Sequence, residues 1–215
     1  MKKVLLAIVC VALAWCANAQ FTLGVGYMGE NEVLKSKNYS AINNDTTTKF
    51  DGFYVHAGYN LRIVKGFGVQ PEVRLSFGND NYSTTWAGVK YEYNRNKLNL
   101  DIPVMFTYCF ELPHDLYLTL HLGPTFDLGL MDNITNTVGK TDKTVSNYDD
   151  DGTGVYLNKF DLLAETGVSF RYKHWGVEIR YAWGLLNMVH LPAGVSSDDI
   201  SVKYDKLMVG ASFAF

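Results

Sequence analysis

The sequence predicts an all-β chain, an eight-stranded antiparallel up-and-down transmembrane β-barrel with short periplasmic turns and long extracellular loops. Three observations predict it. Period-two alternation recurs in eight segments, the links between them alternate short and long, and aromatic residues gather at both ends of the segments.

Taken from the N-terminus, residues 1–19 read MKKVLLAIVCVALAWCANA: two lysines, an apolar run from Val4 to Cys16, then Ala17-Asn18-Ala19. That order is the pattern of an export signal cleaved before Gln20, and the run is shorter than the about 20 residues a spanning helix needs. The expected division is therefore a signal peptide at 1–19 and a barrel domain at 20–215. Trp15 stands where lipoprotein leaders carry a small residue, so acylation of Cys16 is disfavoured. Loss of the leader takes Cys10 and Cys16 with it and leaves Cys109, which excludes an intrachain disulfide and a zinc site built on several thiolates.

Composition agrees with strands. Of 215 residues, 47% are apolar, 14% aromatic and 19% charged, with 19 Gly and 5 Pro, which excludes disorder and disfavours a helical bundle. The formal charge of −3 becomes −5 without Lys2 and Lys3, so nucleic acid is a poor partner.

The alternating segments are 21–29, 50–63, 67–78, 96–110, 116–130, 159–172, 176–187 and 202–215. In the second, Phe53, Val55, Ala57, Tyr59, Leu61 and Ile63 form one phase against Tyr54, His56, Gly58, Asn60 and Arg62. In the fourth, Leu98, Leu100, Ile102, Val104, Phe106, Tyr108 and Phe110 run almost unbroken. A secreted soluble barrel with an apolar lumen would alternate too, with its faces inverted. The polar phase here is dominated by small residues and by charges of both signs, which suit a cramped lumen where they can pair, so the apolar phase is expected to face lipid.

The links 64–66, 111–115 and 173–175 are short, whereas 30–49, 79–95, 131–158 and 188–201 are long and polar. Short turns on one side and long loops on the other are the layout of an outer-membrane barrel. In the last short link, a two-residue loop at His174 and Trp175 would set Arg171 opposite Glu178 and Ser169 opposite Arg180. Phe21, Phe67, Tyr108, Phe110, Tyr172, Trp175, Phe213 and Phe215 fall at the short-turn end, and Tyr27, Phe53, Phe77, Phe126, Phe160 and Trp183 towards the long links, as two interfacial girdles would. Pro71, Pro103 and Pro124 lie inside strands, where bulges or loosened pairing are expected because proline cannot donate to the ladder.

Several short stretches resemble the PorT-like outer-membrane β-barrel family typical of Bacteroidetes: LNLDIPVMFTY at 98–108, LGP at 122–124 and RYAWGLLN at 180–187. The end VGASFAF at 209–215 resembles a terminal insertion signal for barrel assembly, carried by Phe213 and Phe215. Asp101 stands where many relatives have Glu. The resemblance implies an outer-membrane barrel and, as an alternative function, a part in a secretion or envelope-assembly machine.

Eight strands leave room only for side chains, so the lumen is expected to hold a polar network of Arg62, Glu72, Arg74, Asp101, Asp127, Glu165, Arg171, Glu178 and Arg180 and not a diffusive pore. His56 and His121 fall in the lumen phase without a recognisable Ser and acid beside them, so no catalytic residue, no enzyme activity and no cofactor are expected. The run Asn147-Tyr148-Asp149-Asp150-Asp151-Gly152 resembles the opening of a calcium loop, with Asn147, Asp149 and Asp151 as weak metal candidates and Asn158 where a bidentate Glu would close it. The expected partners are outer-membrane lipid and lipopolysaccharide, the barrel-assembly machinery during insertion, and an envelope or secretion protein. The expected state is a monomer acting as a structural or surface-interaction protein, with a lipid-active enzyme the remotest alternative.

Overall fold

A computed structural model describes residues 19–36, 46–86, 89–139, 141–150, 155–190 and 200–215. The expected leader, apart from Ala19, lies outside the described residues, as does Asp151. The strands are β1 (Ala19–Ser36), β2 (Thr46–Val64), β3 (Phe67–Trp86), β4 (Val89–Leu112), β5 (Leu116–Val138), β6 (Thr141–Ser146), β7 (Tyr156–Leu157), β8 (Phe160–Tyr172), β9 (Trp175–Gly184), β10 (Val189–His190) and β11 (Ile200–Ala214). β1, β2, β3, β4, β5, β8, β9 and β11 pair antiparallel in that order, and β11 closes the ring on β1 from Thr22–Ala214 to Ser36–Ile200. Closure satisfies every strand edge inside the membrane, where an open edge would be costly.

The alternation sorts as expected. Val55, Leu75, Phe106, Leu122, Val177 and Ile179 are exposed on the outer wall, while their chain neighbours His56, Arg74, Thr107, His121, Glu178 and Arg180 are buried in the lumen. The girdles form as packed rings: Phe67 meets Tyr108 at 4.6 Å, and Phe213 meets Trp175 and Phe215 at 5.0 Å, at the short-turn end. At the other end Phe53 packs on Phe77 at 5.6 Å.

Each short turn has its own chemistry. Lys65 and Gly66 take φ of 39° and 88°, the positive pair that a two-residue hairpin loop favours, and His114 and Asp115 take 66° and 58°. Between β8 and β9 the loop is Lys173-His174, with Lys173 at φ 52°. This corrects the expected register: Arg171 faces Gly176, Ser169 faces Glu178 and Gly167 faces Arg180. The cause lies on the neighbouring strand. His174 Nδ1 donates to Ala214 O at 2.7 Å and Ala214 N donates to His174 O at 2.8 Å, which fixes His174 in the turn and leaves Trp175 free to join the girdle.

The prolines loosen the ladder without shifting it. Pairing is interrupted between Gly58–Glu72 and Leu61–Val69, between Pro71–Val104 and Arg74–Asp101, and between Pro103–Thr125 and Phe106–Leu122. Pro71, Pro103 and Pro124 each lie in one of these gaps. A true bulge sits elsewhere, where Leu98 faces Met131 but Asn99 faces Gly129, leaving Leu130 unpaired on that side.

The long links are long, but much of them is strand. β4 and β5 run for 24 and 23 residues, well beyond the roughly 9–11 that a tilted strand needs to cross a bilayer. β3 and β4 continue as a hairpin to Trp86 and Val89, and β6 folds back on β5, so β3, β4, β5 and β6 form a ribbon beyond the apolar band. β7 and β10 make a separate small sheet, seated on Met188, Val202 and Tyr204 with Leu34, Leu157 and Val189 packed against them.

Candidate functional site

The lumen is filled by ion pairs in three connected tiers. In the tier nearest the short turns, Arg180 donates to both oxygens of Glu72 at 2.8 and 2.9 Å, to Glu178 at 2.9 Å and to Glu165 at 3.3 Å. Arg74 grips Glu165 at 2.8 and 3.1 Å, and Thr125 donates to the same carboxylate at 2.7 Å. Tyr54 donates its hydroxyl to Glu178 at 2.8 Å, and His56 lies 3.2 Å from Glu178 and 3.6 Å from Glu72. These side chains are all but dry, which raises the electrostatic stake of every pair.

Room for such large groups comes from small residues on the facing strands. A Cβ added at Gly210 would lie 2.2 Å from Tyr54 Oη, and one at Gly167 would lie 2.7 Å from Arg180 Cγ.

The middle tier answers a problem of like charge. Asp101 sits directly across from Asp127, and Asp127 from Asp161, an arrangement that is destabilising on its own. Lys206 reaches across the barrel to Asp101 at 3.0 Å and Asp127 at 2.6 Å, with Glu30 at 3.8 Å, and Lys97 pairs with Glu30. Asp161 instead accepts the backbone N–H groups of Leu162 and Leu186 at 2.7 and 3.3 Å. In the tier nearest the ribbon, Arg95 holds Asp132 at 2.7 and 2.8 Å and Glu32 at 2.8 and 3.1 Å, and Tyr204 donates to Glu32 at 2.8 Å.

Of the residues expected in the network, Glu72, Arg74, Asp101, Asp127, Glu165, Glu178 and Arg180 meet there. Arg62 does not: it pairs with Glu111 at 2.8 Å at the open short-turn mouth. Arg171 lies 4.3 Å from the Tyr117 ring centroid and contacts no carboxylate among the described residues. Sequence reasoning missed Glu30, Glu32, Arg95, Lys97 and Asp132. Glu30 and Glu32 continue the inward phase of Met28, and Arg95 and Lys97 that of Asp101, so their signal was present. Asp132 was masked by the bulge at Leu130, which reverses the phase of β5.

Below Arg180 a cavity of about 50 Å³ opens towards the short turns, lined by Thr22, Asn60, Gln70, His121 and Ser169 among others. Such a volume holds a few waters and no continuous channel. His121 Nε2 and Ser169 Oγ lie 2.9 Å apart, but His121 Nδ1 has no hydrogen-bond partner among the described residues, so the orienting carboxylate of a nucleophilic triad is missing there. At the opposite end Asn147 donates to Asp132 at 2.9 Å, which turns its amide into the lumen network, and Asp149 is exposed. Among the described residues no group of His, Cys, Asp and Glu is arranged to hold a metal ion.

The sequence model of the family described as outer membrane protein beta-barrel domain matches residues 17–190. Among solved structures the chain is similar to Ail, the attachment invasion locus protein of Yersinia pestis, with 13% identity over 92% of this chain and 99% of that one and a TM-score of 0.48. It is similar to Neisserial surface protein A at 14% identity, over 90% and 97% of the two chains, with a TM-score of 0.47. For OprG of Pseudomonas aeruginosa the values are 11%, 92%, 96% and 0.47. No curated protein matches the chain.

Proposed function

The chain belongs to the outer membrane β-barrel domain family, and from that premise we propose that it is a closed barrel serving as a surface-interaction protein, with the ribbon β3–β6 as its contact element. One observation carries this reading: the lumen is occupied by interlocked ion pairs while three barrel strands continue past the apolar band and, with β6 folded back on β5, form a ribbon. A plugged lumen does not suit diffusion, whereas a paired ribbon presents a fixed surface. The competing reading, implied by resemblance to PorT-like chains, is a part of a secretion or assembly machine, whose contacts would form at the periplasmic turns. Photocrosslinkers placed at Thr144 on the ribbon and at Lys65 in a turn separate the two in intact cells. Adducts from Thr144 are expected; adducts from Lys65 alone would overturn the proposal in favour of the machine.

A further inference from the structure

The outer wall changes character within one step along three adjacent strands. Phe77, Leu98 and Met131 form one cross-strand row, and the next outward row is Asn79, Asn96 and Asn133. Beyond it come Asn81, Asn94 and Thr135, the last paired to Thr144 on β6, and then Ser83, Glu92 and Thr137. The carboxamides are ordered into a ladder: Asn79 Nδ2 donates to Asn96 Oδ1 at 2.8 Å and Asn94 Oδ1 at 3.1 Å, Asn81 Nδ2 to Asn79 Oδ1 at 2.8 Å, and Asn96 Nδ2 to Asn94 Oδ1 at 2.7 Å. Asn94 Nδ2 and Asn81 Oδ1 make no hydrogen bond to another described residue, so the ladder keeps both a donor and an acceptor for a ligand. A depression of about 450 Å³ lies over this face, lined by Asn81, Asn94, Asn96, Thr135 and Thr137 among others.

We propose that this outward Asn/Thr face binds the saccharide of a glycolipid standing in the outer leaflet. Position selects the source: the face continues the lipid-facing wall directly above its apolar rows, so the group lying against it is what projects from the leaflet itself. Chemistry selects the saccharide over the phosphates. The face offers pre-ordered amides and hydroxyls, which match sugar hydroxyls, and its cation Lys90 is already paired with Glu92. Adjacent strands set these groups about 4.8 Å apart, a repeat that a chain of sugar rings can follow.

The inference rests on the surface-interaction reading but fails separately from it. Adducts from Thr144 in cells together with no preference for the sugar-bearing lipid would leave that reading standing and refute this one. The test uses the full chain in nanodiscs containing either lipopolysaccharide with its core saccharide or lipid A without it. Co-purified lipid is counted by native mass spectrometry, and exchange of the β3–β5 amides is followed. Preferential retention of the sugar-bearing lipid is expected, together with slowed exchange on the ribbon. The double variant Asn94→Val, Thr135→Val keeps strand-forming residues and should lower that retention about tenfold, while Thr84→Val on the opposite face should not. Equal retention of the two lipids by the unaltered chain, or an unchanged preference in the folded double variant, would overturn the proposal.

Discussion

Replacing Arg180 with Met should destabilise the barrel by about 3–5 kcal/mol, the cost of removing one partner from a dry ion-pair cluster. The figure follows from what each carboxylate retains. Glu165 keeps Arg74 at 2.8 Å, but Glu72 is left with the neutral Gln70 amide at 2.6 Å and with Arg74 and His56 only at 3.6 Å, and Glu178 with His56 at 3.2 Å and the Tyr54 hydroxyl at 2.8 Å. Charge-assisted hydrogen bonds are worth about 1.5–3 kcal/mol each and do not add within one network, so the loss stays below the sum of the contacts removed. Met preserves most of the apolar stem that packs against Gly167, which leaves charge as the main change. Urea unfolding in phospholipid vesicles, read by the fluorescence of Trp175 and Trp183, gives the loss. Adding Glu72→Gln should return about 1–3 kcal/mol, because an amide has no charge left to strand. A loss under about 1 kcal/mol, or strict additivity of the two substitutions, would refute the reasoning by showing that water from the cavity below hydrates the cluster.

Two further outcomes are expected from the same assay. Arg171→Ala and Glu178→Ala should be additive within about 0.5 kcal/mol, since Arg171 faces Gly176 and stacks towards Tyr117; a larger coupling would place the β8–β9 loop at His174-Trp175 after all. Gly210→Ala should cost about 1–3 kcal/mol by overpacking, and less in a Tyr54→Phe background, which removes the nearest atom it strikes and leaves the Val25 carbonyl oxygen at 2.9 Å. No loss at Gly210 would mean that Tyr54 swings clear and that its bond to Glu178 does not hold the ring in place.

The ring of strands was legible because one physical constraint acts on every residue of it: one face meets lipid and the other meets packed charge. Eight segments repeat that contrast, and all eight are strands of the closed barrel. The ribbon was harder to read for the same reason. Past the apolar band the face carrying Asn79, Asn81, Asn94 and Asn96 turns polar while the other mixes Asp80 and Arg95 with Tyr82 and Tyr93, so no face stays apolar along the strand and a strand there looks like a loop. Register was hidden further still. Whether Lys173 or His174 begins the turn depends on Ala214, a residue some forty positions away in sequence that becomes a neighbour only when β11 pairs with β9.

The middle tier of the lumen shows why a list of inward charges is not yet a network. Asp101, Asp127 and Asp161 occupy one level on three neighbouring strands, and taken strand by strand they are a row of repulsions. Their cation, Lys206, lies near the far end of the chain, on β11. Closing β11 onto β1 sets Lys206 opposite Glu30 and carries its ammonium across the lumen to Asp101 and Asp127. Ring closure and charge compensation are therefore one event: an unclosed sheet would leave the aspartate row without Lys206, so these polar residues favour the closed barrel as directly as the hydrogen bonds between β1 and β11 do.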